Sequence, residues 1–258
     1  MHLEPAESII ARIAEAARVH PGGAVAFDGD GTLWTGDVGE DLFHALIASG
    51  DFREAARAQM DREAETHGRA TGGTGKEIAE RLYQDYMAGL FPEERMCEIM
   101  TWAFADWTHA EVDAFTVDVL GRIGLEARLH AEARRVVRWA RAHRIETFLV
   151  SASPRVIIEH AARLLDIDGD HVVAALPCYA GDKMLPDVHR PIPYAAGKVK
   201  NLRARIGQTR PLYAAFGDNA FDIALLSEAF IPVAVRPKPR LRERAAEVQK
   251  LVEIVAES

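Results

Sequence analysis

With 258 residues, 48% of them hydrophobic and 27% charged, the chain can bury a sizeable core as one large domain or two smaller ones. Its formal net charge of −8 makes it a poor match for nucleic acid or an anionic membrane, whereas a phosphorylated small molecule stays open because a metal or a local basic group can override the global sign. No apolar run approaches the roughly 18 residues of a membrane span, the N-terminus is acidic and helix-like, and two distant cysteines, Cys97 and Cys178, fit a reducing cytoplasm.

In chain order, a helix is expected near 5–19, opened by Pro5, followed by an apolar strand at 24–28. From about 36 to 128 no strand is convincing. Segments 39–49, 51–67, 76–89, 92–107 and 109–122 carry helix formers at helical spacing, broken by Gly50, the 72–75 glycine cluster, Pro92 and Thr108. Beyond 130 the pattern alternates: helix 131–143, strand 147–150, helix 154–165 and strand 172–175, which opens a loop-rich patch. Helix 197–206, strand 212–216, helix 220–228, a strand near 231–235 and a closing helix at 239–256 complete the chain. This predicts an α/β fold, a Rossmann-like parallel sheet covered by helices on both faces, formed by 1–35 and 129–258. An all-helical cap domain, 36–128, is inserted into it.

Chemistry in open parallel sheets gathers at the carboxyl ends of the strands, and there the chain offers a consistent set of polar groups. Asp28 and Asp30 follow the first strand, in a turn where Gly29 and Gly31 let main-chain N–H groups face an anion. Ser151 and Ser153 follow the second. Gly217-Asp218-Asn219 and Asp222 follow the strand at 212–216, and Lys198 and Lys200 lie in the helix before it. A carboxylate at Asp28 can attack phosphorus to give a mixed anhydride, and Asp30 can protonate the leaving alkoxide and then deprotonate water. Mg²⁺ would find oxygen ligands in Asp28, the main-chain carbonyl of Asp30, and Asp218, with Asp222 orienting a water or the lysine. Ser151 would donate to a phosphoryl oxygen, and Ser153-Pro154 reads as a capped helix start aimed at the site.

These residues resemble the four ordered motifs of the haloacid dehalogenase superfamily, in its phosphoserine phosphatase-like branch. The motifs are Asp28-Gly29-Asp30-Gly31-Thr32, Leu149-Val150-Ser151-Ala152-Ser153, Gly197-Lys198, and Gly217-Asp218-Asn219 with Asp222. The resemblance implies Asp28 as nucleophile, Asp30 as acid/base, and phosphate held at Gly29, Ser151, Ala152 and Lys198. It also implies magnesium on Asp28, Asp30 and Asp218, with Asn219 and Asp222 behind. Asp37, in Trp34-Thr35-Gly36-Asp37, falls near the place of an acid that binds the substrate amine in phosphoserine phosphatases. No arginine signature for a substrate carboxylate is recognisable in 50–75, and Phe221 stands where those enzymes commonly carry asparagine.

Other motifs read as structural. Thr32 and Leu33 do not suit an EF-hand loop, and 166–170 lacks the glycine and glutamate that such a loop requires. The P-loop-like 70–76 has Glu77 in place of Ser or Thr and no preceding strand, so it reads as a cap loop from which Lys76 could reach substrate. Trp102 and Trp107 read as core, His189 as a loop residue between motifs, and the basic run 236–244 as a solvated junction. The expected activity is hydrolysis of a small phosphorylated metabolite. A phosphotransferase or mutase would use the same intermediate, and a silent binding module would keep the fold. Substrate and oligomeric state leave no sequence signature.

Overall fold

The computed structural model describes residues 1–257. Its elements run β1 (Leu3–Glu4), α1 (Ala6–Val19), β2 (Ala24–Phe27), α2 (Val38–Ser49), α3 (Glu54–Thr66), α4 (Gly75–Met87), α5 (Glu93–Trp102) and α6 (His109–Ile123). They continue through α7 (Ala131–Ala142), β3 (Glu146–Pro154), α8 (Arg155–Arg163), β4 (Val172–Ala175), β5 (Pro177–Ala180) and β6 (Lys183–Val188). The last are α9 (Ala196–Ile206), β7 (Leu212–Gly217), α10 (Ile223–Ser227), β8 (Ile231–Ala234), α11 (Pro239–Glu243) and β9 (Val252–Ile254).

Seven strands form one sheet in the order β1-β9-β8-β7-β2-β3-β4, every neighbouring pair parallel. Strand β2 is buried along its whole length, as a central parallel strand covered on both faces must be. Its period-2 alternation sends Val25 and Phe27 into the apolar cluster shared with Ile9 and Ile13 of α1 and Val136 and Val137 of α7. Ala24 and Ala26 join the opposite cluster, with Leu202 of α9, Leu225 of α10 and Leu241 of α11. Phe27 stacks on Phe216 of the adjacent β7 with ring centroids 4.1 Å apart, and burying one such ring contributes about 2–3 kcal/mol. The fold is therefore the α/β Rossmann-like one expected.

Helices α2 to α6 sit between β2 and α7 in the chain, and no strand interrupts them. Their buried side chains, among them Leu42, Met60, Ile78, Met96 and Trp102, continue the apolar cluster that covers the α1 and α7 face. Buried Glu98 of α5 accepts from Arg95 and from Arg190, at 3.0 and 2.7 Å for the latter, which ties this helical block to the segment after β6.

Three local expectations are corrected. The closing helix at 239–256 is broken: α11 stops at Glu243, and β9 inserts between β1 and β8. Its β-branched Val252 and Ile254 bury on either side of half-exposed Glu253, a strand pattern that needs the open edge of β8 to become worthwhile. The loop-rich patch holds an antiparallel hairpin, β5–β6, closed by Gly181 and Asp182. Strand β3 runs on through Pro154, so Ser153 belongs to the strand and gives α8 no side-chain cap.

One contact fixes the loop that follows β2. His130, 4% exposed at the start of α7, places Nδ1 3.0 Å from the Thr32 carbonyl and Nε2 2.9 Å from Thr35 Oγ1. Burial holds its pKa below the usual 6.5, the Thr32 contact opposing. A lowered native pKa means that the unfolded chain binds the extra proton below about pH 6.5. Stability is therefore expected to fall as pH drops from about 6.5 toward the native value and to be flat in this respect above it. The urea midpoint followed between about pH 7.5 and pH 5.5 should decline less in His130→Asn than in the parent, and equal slopes would contradict the assignment.

Candidate active site

The carboxyl ends of β2, β3 and β7 meet at a cavity of about 320 Å³ whose floor is Asp28. Asp28, Asp218 and Asp222 are 6, 2 and 1% exposed, and one carboxylate oxygen of each lies within 4.8 Å of the others. Such crowding of buried anions requires a cation among them. Lys198, 4% exposed, supplies it: Nζ lies 2.5 Å from both Asp28 Oδ1 and Asp222 Oδ1. Burial opposes the ammonium, but Asp222 and Asp28 together outweigh that and hold the Lys198 pKa above its usual value. Burial likewise pushes Asp28 upward, with Asp222 and Asp218 adding and Lys198 pulling back. The Asp218 carboxyl is pushed up to about 6 by burial and Asp222, against Lys238.

The remaining oxygens are also placed. Asp28 Oδ2 accepts from Thr32 Oγ1 at 3.0 Å, and Asp222 Oδ2 accepts from the N–H groups of Asp218 and Asn219 at 3.1 and 3.0 Å. Asp222 is thus engaged by Lys198 and by the backbone. Gly31 makes room for Asp218: its φ is +84°, and a Cβ there would lie 2.2 Å from Asp218 Oδ2. Asp28 and Asp218 bring hard carboxylate oxygens within 4.8 Å of one another, a donor set that fits a small divalent cation such as Mg²⁺.

Asp30 is held from two sides. Its Oδ1 accepts from Trp34 Nε1 and from the Val38 N–H, both at 2.8 Å, and its Oδ2 accepts from Ser153 Oγ at 2.7 Å and Ser151 Oγ at 3.3 Å. With an indole and a main-chain N–H on one oxygen and two hydroxyls on the other, the carboxyl group is fixed in orientation.

Most of the expected residues converge here. Asp28, Asp30, Ser151, Ala152, Lys198, Asp218, Asn219 and Asp222 line the cavity, as does Asp37. Asp37 also caps α2 by accepting from the Glu40 N–H at 2.9 Å. Gly29 lies beneath, packed under Trp34 and Leu149, and does not line the cavity. Of the lysine pair, Lys198 is inside and Lys200 is exposed. Lys76 pairs with Glu80 away from the cavity, and neither it nor His189 reaches the site. Trp102 and Trp107 are buried in the core, 1 and 6% exposed.

Lys238 corrects the reading of the basic run. Its Nζ lies 2.9 Å from Asp218 Oδ2 and it lines the cavity, whereas Arg236, Arg242 and Arg244 pair with Glu132, Glu253 and Glu247. The carboxyl-end rule, applied to the strand at 231–234 as it was to the others, would have singled it out. Trp34 left a weaker signal: its indole N–H lies four residues beyond Asp30 and donates to that carboxylate.

The family model for haloacid dehalogenase-like hydrolase matches residues 25–227. The chain belongs to that family. No curated protein sequence matches it. Among solved structures it is similar to a protein of unknown function from Bordetella pertussis Tohama I, with TM-score 0.70 and 21% identity over 90% of this chain and 97% of that one. A functionally unknown protein from Anaerococcus prevotii DSM 20548 matches with TM-score 0.64 and 16% identity, over 95% and 90% of the two chains. A phospho-aspartyl intermediate analogue of phosphoserine phosphatase matches with TM-score 0.51 and 16% identity, over 89% and 92%. At these identities the likeness is one of fold.

Replacing Lys198 by methionine keeps the length of the side chain and leaves Asp28 and Asp222 buried without their shared counter-ion. The expected loss is about 3–5 kcal/mol of unfolding free energy in metal-free buffer, read from urea denaturation. An unchanged midpoint would show that the lysine does not hold the cluster together.

Proposed function

We propose that the protein is a Mg²⁺-dependent phosphatase that hydrolyses a small phosphomonoester through a phosphoaspartyl intermediate on Asp28. The observation that carries this reading is the arrangement around Asp28: a carboxylate at the cavity floor, fixed by Thr32 and Lys198, with a second acid, Asp30, two residues away. Asp28, Asp218 and the main-chain carbonyl of Asp30 would hold the metal. When bound, it would supply positive charge against the phosphoryl oxygens.

A carboxylate oxygen of Asp28 attacks phosphorus, and the bond from phosphorus to the leaving oxygen breaks. Asp30 delivers its proton to that oxygen, so the first product leaves as a neutral hydroxyl. Water then attacks the phosphorus of the acyl phosphate, Asp30 takes its proton, and Asp28 is released with inorganic phosphate. Lys198, fixed by Asp222, keeps a full positive charge beside the transferring group, and Ser151 can turn its hydroxyl from Asp30 to a phosphoryl oxygen. We assign residues 36–128 as the cap that closes over this chemistry. Two free thiols, Cys97 and Cys178, accord with a cytoplasmic enzyme; among the described residues no helix is long and apolar enough to cross a membrane.

Released phosphate measured with Mg²⁺ across an alkyl phosphate and p-nitrophenyl phosphate tests these roles. Asp28→Asn is expected to abolish turnover of both while retaining the fold by circular dichroism. Asp30→Ala should lose about 10²–10⁴-fold with the alkyl ester and distinctly less with p-nitrophenyl phosphate, whose leaving group needs little protonation. Activity surviving in Asp28→Asn would remove the nucleophile, and equal losses in Asp30→Ala would remove the acid.

A further inference from the structure

Three helices of the 36–128 block contribute side chains to the lining of the cavity. Glu40 comes from the first turn of α2, Tyr86 from the last turn of α4, and Glu93 from the start of α5. Asp37 adds a third carboxylate, and the sheet side contributes two rings, Tyr194 and Phe221, with centroids 4.7 Å apart. Glu40 is steadied by Tyr86, whose hydroxyl donates to Oε1 at 3.3 Å, while Glu93 accepts no hydrogen bond among the described residues and has Arg240 and Lys238 as its neighbouring cations.

The charges on this lining do not balance. Seven carboxylates and two lysines line the cavity, and both lysines are committed, Lys198 to Asp28 and Asp222, Lys238 to Asp218. A divalent cation and a phosphomonoester dianion would bring equal and opposite charge, so a negative excess persists with both bound; burial pushes the Asp37 and Glu93 carboxyls upward, Arg240 and Lys238 pull Glu93 back, and a bound cation would favour the charged form of each. A leaving group bearing a carboxylate would meet repulsion there. The arginines of α3 and its approach are engaged elsewhere: Arg53 pairs with Glu111, Arg57 with Glu54, and Arg62 with Gln59. Carboxylates interleaved with aromatic faces are the combination that holds an ammonium group, by ion pairing on one side and attraction to ring faces on the other.

Building on the phosphatase reading, we infer that the substrate is a small phosphomonoester of an amino or quaternary-ammonium alcohol. Its cationic end is bound by Glu93 and Glu40 among the rings of Tyr86, Tyr194 and Phe221. A cavity of about 320 Å³ lies at the small end for ligand sites, which suits a compact alcohol. The apolar ring of Phe221, beside Tyr194, suits the alkyl shell of such a cation.

The test compares 2-(trimethylammonio)ethyl phosphate and 2-aminoethyl phosphate with 3,3-dimethylbutyl phosphate, a neutral shape match of the first. Glycerol 3-phosphate and 3-phosphoglycerate serve as polyol and anionic controls. At least one cationic ester is expected to exceed the neutral isostere by about tenfold or more in kcat/KM. In Glu93→Gln and Glu40→Gln that ratio should shrink by about threefold or more, the loss appearing in KM. A neutral, polyol or anionic ester turned over as well as both cationic ones would overturn the inference and leave the phosphatase reading standing. Calorimetric binding of the same esters to the Asp28→Asn protein with Mg²⁺ reads the preference without turnover. If no ester is hydrolysed, the phosphatase reading fails, and equal affinities for cationic and neutral esters overturn this inference separately.

Discussion

The contact of one buried ammonium with two buried carboxylates, Lys198 with Asp28 and Asp222, is what the site depends on. Each carboxylate taken out of water costs several kcal/mol, and three lie together at the ends of β2 and β7. Without a cation their repulsion would open the sheet rim or protonate Asp28, the proposed nucleophile. The sequence around Lys198 is shaped to bring it there. Gly197 packs so closely against the segment before α9 that a Cβ would lie 2.1 Å from the Ile192 carbonyl oxygen, and its own N–H donates to the Tyr194 carbonyl at 2.7 Å. A side chain at 197 would lift α9, and the ammonium would lose one or both partners.

The same charge economy divides labour across the cavity. On the sheet side the acids have fixed partners: Asp222 on two backbone N–H groups, Asp30 between Trp34, Val38 and two serines. On the helical side the groups are less engaged, and Glu93 faces the cavity with no donor among the described residues. On the proposed reading, preorganised chemistry and a more permissive selectivity wall are separated by element, strand ends for one and helix termini for the other.

That division also explains what could be read from the sequence. Asp28, Asp30, Ser151, Lys198 and Asp218 each follow a strand or open a helix in a short local pattern, so the carboxyl-end rule and motif spacing located them. Glu40, Tyr86 and Glu93 meet only because α2, α4 and α5 pack on one apolar cluster, and no local pattern encodes that meeting. Ser153 was misread as a helix cap because Ser-Pro is a good start signal, whereas the ladder of β3 with β4 carries the strand through Pro154. Strand β9 was misread as helix for a related reason: its existence rests on tertiary pairing with β8 and β1, which outweighs helical propensity in 239–256.

The most direct test of the central claim is to trap the covalent intermediate. Enzyme mixed with a turned-over phosphomonoester and Mg²⁺, quenched in acid within the first turnover and digested, should yield a phosphorylated peptide containing Asp28 by mass spectrometry, absent from Asp28→Asn. Phosphate release in a single turnover with no phosphopeptide at Asp28 under any quench time, or a phosphopeptide elsewhere that persists in Asp28→Asn, would contradict the account.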